Sequence, residues 1–102
     1  MSTPGRILRL SSETQASADT LQSPRSDVII LTGTTTINSI PAPFGGRVFD
    51  LIIYLIPFGG GGPITLGNAG NILGGPIAIN QNRITTLIWH VSSQVWFIGI
   101  GN

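Results

Sequence analysis

Residues 47–57 read RVFDLIIYLIP, and the rest of the chain can be placed around them. Phe49, Leu51, Ile53 and Leu55 fall at a spacing of two, which makes one wholly apolar strand face. Val48, Asp50, Ile52, Tyr54 and Ile56 make the other face, which is nearly as apolar. Such a strand is expected to be central and covered on both sides. Glycines interrupt regular structure at each end, Gly45-Gly46 before it and Gly59 to Gly62 after it. Asp50 sits among apolar neighbours and so needs a partner, for which Arg47, Arg83 or backbone donors are the candidates in this part of the chain.

Working outward, short β-rich segments recur between turn residues. Val28 to Thr32 reads as a strand, Gly33-Thr34 as a turn, and Thr35 to Ile40 as a second, half-polar strand. After the glycine run come Ile64-Thr65-Leu66, Ile72-Leu73 and Pro76 to Ile79, with Asn80-Gln81-Asn82 as a hairpin signal. Two longer strands follow, Arg83 to Val91 and Gln94 to Ile100, joined at Ser92-Ser93. No stretch carries a helical stripe. The expected fold is all-β, a compact antiparallel β-sandwich, jelly-roll-like or small barrel domain over residues 28–102. Phe49, Leu51, Ile53, Leu55, Leu87 and either Trp89 or Ile88 are the expected core.

Residues 1–27 differ in kind. They carry six of the nine formal charges, and Arg6, Ile7, Leu8, Arg9 and Leu10 form their one apolar patch. They read as an extended or disordered N-terminal arm outside the core, able to add to the edge of another protein's sheet.

Charge is scarce. The chain has no lysine, five arginines, four acidic residues and one histidine in 102 positions, 9% charged where about a quarter is usual. A surface so poor in charge calls for a partner, and the simplest partner is another copy. Size points the same way, because about 75 residues of β structure are marginal without a staple. With no cysteine and one histidine, neither a disulfide nor a zinc cage is available, so oligomerisation remains. The same charge balance gives no footprint for nucleic acid. No apolar run reaches the length of a membrane-spanning helix, and the first residues lack a signal peptide's apolar region. Use without secretion through a membrane is expected.

Candidate chemistry is thin. The glycine run from Phe58 to Pro63 lacks the Lys-Ser/Thr and helix of a phosphate-binding loop. His90 has Asp50 as its one possible carboxylate partner in the globular part, so no catalytic residue, cofactor or metal is assigned. Trp89, Trp96, Tyr54, Phe44 and Phe58 could stack on a sugar, with Asn38, Asn68, Asn71, Asn80 and Asn82 reading hydroxyls. Core or subunit interface is the better reading of strand aromatics, and it is assigned here to Phe49, Asp50, Tyr54, Trp89 and Trp96.

The run from Ile30 to Ile40 (ILTGTTTINSI), then Gly46 to Leu51 (GRVFDL), Thr65-Leu66, Asn71-Ile72, Thr86 to Trp89 and Val95-Trp96 resembles the compact trimeric β domains of tailed-bacteriophage virion proteins. These occur on capsid decoration (cement) proteins and at tail-fibre ends. The resemblance covers residues 28–102 and implies a structural protein, not an enzyme. It implies a homotrimer bound to the major capsid protein at the capsid surface, assembled in the host cytoplasm, with the arm docking on the lattice. Read as a chain without a stalk, the sequence favours the cement protein. A tail-fibre or receptor-binding tip and a lectin-like module are the alternatives.

Overall fold

The computed structural model describes residues 11–44, 49–60 and 62–99. They contain no helix and eight strands: β1 (Ser12–Ala16), β2 (Val28–Thr32), β3 (Leu51–Pro57), β4 (Ile64–Leu66), β5 (Ile72–Leu73), β6 (Ile77–Ile79), β7 (Thr85–His90) and β8 (Val95–Gly99). The fold is all-β. Six strands form one sheet in the order β1-β2-β3-β7-β8-β5, and β4 and β6 form a second. The large sheet is mixed, where an antiparallel one was expected. The pairs β1·β2, β2·β3 and β5·β8 run parallel, whereas β3·β7 and β7·β8 run antiparallel.

The core lies on one face of the large sheet. Ile29 and Leu31 from β2, Ile53 and Leu55 from β3, Leu87 and Trp89 from β7, Trp96 from β8 and Ile72 from β5 point to this side and are buried. Ile64, Leu66 and Ile79 of the small sheet cover part of them. Parallel neighbours cannot be joined by a tight turn and require a crossover. Here the crossovers are irregular chain that supplies core residues: Leu21 between β1 and β2, and Ile37 and Ile40 between β2 and β3.

Several expectations are corrected. Thr35 to Ile40 is not a strand. Ile37 makes a lone bridge to Leu66 and Ser39 one to Thr20, while the carbonyl of Asp19 accepts the N–H groups of Asn38 and Ser39 at 2.8 and 3.1 Å. Asn80-Gln81-Asn82 does turn the chain, with Asn82 at φ 66° and Arg83 N–H on Asn80 O, but it leads from the small sheet to the large one and makes no hairpin. Phe49 precedes β3 and is 63% exposed, because alternation places a side chain in the core only where the strand lies over it. The choice between Trp89 and Ile88 falls to Trp89, at 1% against 39% exposed.

The reading of the N-terminal arm is corrected for residues 11–27, residues 1–10 lying outside the described ones. Residues 12–16 are extended, but as strand β1 of the chain's own sheet, and Leu21 belongs to the core. Polar side chains hold this segment in place. Glu13 accepts the Arg25 N–H at 3.0 Å and Gln15 Nε2 at 2.8 Å, while Gln15 bonds the N–H and C=O of Gln22. Its polarity therefore reflects side-chain hydrogen bonds from an edge strand to the loop that follows it, not separation from the fold.

Candidate interaction surface

The strands that bury one face of the large sheet present the other to solvent. From the alternation, Val28 and Ile30 of β2, Ile52, Tyr54 and Ile56 of β3, Thr86, Ile88 and His90 of β7, and Val95 and Phe97 of β8 point outward. An antiparallel sheet with one face in water alternates apolar and polar residues. This one is largely apolar on both faces, and none of these outward residues carries a formal charge. Ile52 (48%), Ile88 (39%) and Phe97 (42%) are exposed, as is Leu73 on β5 (40%). Ile52 pairs with Ile88, Ile88 with Phe97, and Phe97 with Leu73, so the four form one row across β3, β7, β8 and β5. This row escaped sequence reasoning because it depends on register, although the two apolar faces of residues 48–56 pointed towards it.

The named residues separate. Trp89 and Trp96 are core residues, register partners with ring centroids 5.2 Å apart. Tyr54 is half-buried on the outward face. Asp50 is exposed just before β3, where its Oδ1 accepts the Val91 N–H at 2.8 Å, a backbone donor as one of the candidates allowed. Arg6, Ile7, Leu8, Arg9, Leu10 and Arg47 lie outside the described residues.

The residues named for a sugar site are largely engaged elsewhere. Both tryptophans are buried. Asn71 brackets Ile40, its Nδ2 donating to the carbonyl at 2.7 Å and its Oδ1 accepting the N–H at 3.1 Å. Asn38 donates to Asp19 Oδ1 and Asn68 to Gly75 O. Phe44 is exposed with the Arg25 guanidinium 4.5 Å above its ring. His90 Nδ1 lies 2.9 Å from Ser93 Oγ, and its ring meets Phe97 edge-on at 6.1 Å. Among the described residues no three His, Cys, Asp or Glu side chains gather as metal ligands would.

A second feature lies at the sheet margin. Ser17 N–H donates to Thr32 O and Val28 N–H to Ser11 O, so the odd residues of the first strand face β2. The backbone of Ser12, Thr14 and Ala16 then points to the open edge. Beside it runs an open groove of about 350 Å³ lined by Thr14, Gln15, Ala16, Ala18, Thr20, Leu21 and Gln22. An open strand edge offers main-chain hydrogen bonds to an extended peptide.

No family model matches this sequence, and no curated protein or solved structure matches it either.

Proposed function

We propose that the chain is a structural subunit of a bacteriophage particle, a decoration (cement) protein that associates with its own copies and binds the lattice of the major capsid protein. The supporting observation is the uncharged, apolar outward face of the large sheet, which a protein working alone in water would be expected to make polar. An assembly subunit has a use for such a face, because association replaces solvent with protein. The resemblance of residues 28–102 to virion β domains supports the same reading. In it, Arg6, Ile7, Leu8, Arg9 and Leu10 contact the capsid, and the sheet face meets copies of the chain.

The test is co-sedimentation of the purified chain with undecorated capsids. Binding that saturates at a fixed ratio to the capsid protein is expected. Absence of binding, with recovery on tail fibres or on a glycan array, would transfer the protein to the receptor-binding or lectin-like reading. Removal of residues 1–10 should abolish capsid binding while the body stays folded, since every described strand and core residue lies beyond this segment.

A further inference from the structure

The outward face of the large sheet holds the chain's one histidine. His90 ends β7, half-buried, on the same side as Ile88 and opposite Val95 of β8. Its ring meets the exposed ring of Phe97 edge-on at 6.1 Å, so a surface laid over Phe97 also covers the imidazole. Imidazole is the side-chain group that ordinarily changes charge between about pH 5 and pH 8. Here it stands on a face whose strand residues carry no formal charge.

We propose that His90 makes the association of copies through this face pH-dependent, strong where the ring is neutral and weakened where it is protonated. The inference rests on the reading that copies of this chain meet at the sheet face, and it supplies the control of that contact.

The groups around the ring decide the sign. Ser93 Oγ lies 2.9 Å from Nδ1 and can accept a hydrogen bond from the ring in either charge state, so the local bond does not oppose a proton. From β8, Val95 and Phe97 face the ring, and the turn between the strands supplies Ser92, Ser93 and Gln94, none of them charged. From the β3 side, register puts Asp50 level with His90. Its Oδ1 accepts the Val91 N–H at 2.8 Å, and among the described residues no ion pair joins it to the imidazole. The phenol of Tyr54 is the other titratable group on the face, and phenols ionise far above this pH range.

While the face is open, water solvates the protonated ring. A covering copy removes that water, and a charge buried without a partner is costly, whereas a neutral ring is covered without this cost. Lowering the pH therefore favours separate chains. By reciprocity, covering must weaken the ring's hold on its proton by the same factor, and each unit of that weakening is a factor of about ten in association.

Sedimentation equilibrium of the full chain at about pH 8 and about pH 5.5 is the test, a window in which ordinary carboxylates stay mostly ionised. Association at least about tenfold weaker at the lower pH is expected. In His90→Gln, which stays neutral, the ratio of the two association constants should fall close to one. His90→Arg, which keeps a charge, should associate weakly at both. Equal constants in the wild type, or an undiminished pH response in His90→Gln, would overturn the proposal while leaving association itself intact. A wild type that is monomeric at both pH values would overturn association and the proposal together.

A second measurement needs no substitution. With one histidine in the chain, a single imidazole can be titrated by NMR. Its midpoint should move to lower pH as the protein is concentrated through the range in which copies associate. A midpoint independent of concentration across that range would overturn the proposal.

Discussion

Ile40 has no strand around it, yet it is fully buried with its backbone groups satisfied. Its carbonyl accepts both Asn71 Nδ2 at 2.7 Å and Trp96 Nε1 at 2.9 Å, and its N–H donates to Asn71 Oδ1. Trp96 N–H in turn donates to Asn71 O at 2.8 Å. One amide side chain thus does for Ile40 what a neighbouring strand would do. Asn71→Ala removes both bonds; the carbonyl keeps Trp96 but the buried N–H is left unpaired, so a loss of about 2–4 kcal/mol is expected, about 1–3 kcal/mol for the unpaired N–H and about 1 kcal/mol for the lost bond to the carbonyl. Trp96→Phe keeps most of the ring and loses one bond, so a smaller loss is expected, about 1–2 kcal/mol. Urea denaturation midpoints check both, and an unchanged midpoint for Asn71→Ala would contradict the role given to this amide. Nearby, a Cβ on Gly70 would stand 2.5 Å from the Asn38 carbonyl oxygen, so Gly70→Ala should also lower the midpoint. The burial of both tryptophans was legible in the sequence as core or interface, because large aromatics on strands seek one or the other. The asparagine was legible only as a polar residue between turns, since its partner lies 31 positions away.

Among elements, β1 and β3 divide what sequence can and cannot tell. The alternation of residues 51–57 marks the central strand and its inward face, and Ile53 and Leu55 are buried as expected. Where that strand leaves the core is not legible, which is why Phe49 is exposed and Leu51 only partly buried. Leu55→Ala should therefore cost about 2–5 kcal/mol, and Leu51→Ala measurably less. Equal losses in chemical denaturation would mean that the core extends further along the strand than described. The first strand is hidden in the sequence because Glu13, Gln15 and their neighbours are polar, and polarity is the usual mark of a tail. Their partners are backbone groups of residues 22 and 25, a pairing that composition does not reveal. Truncation separates the two meanings. Removing residues 1–10 should leave the thermal midpoint close to wild type, whereas removing 1–25 takes away a strand and Leu21 and should abolish the cooperative transition.

At the level of the whole molecule, the scarcity of charge, plain from composition alone, is matched by a sheet with an uncharged outward face. Composition implies the need for a partner but not its location, because the row of Ile52, Ile88, Phe97 and Leu73 is brought together by strand register from segments well apart in sequence. The strand order has a further consequence, which concerns time. During synthesis β1, β2 and β3 emerge first, but β3 has its second neighbour in β7, and Trp96 of β8 must arrive before the Ile40 carbonyl gains its indole partner. Pairings so distant along the chain form slowly, because the intervening loop must close before any contact rewards it. A nascent chain halted before residue 95 would therefore hold an open sheet whose core lacks Trp96, the form most prone to stick to other chains. Emergence of β8 would then be the step that commits this part of the polypeptide to folding.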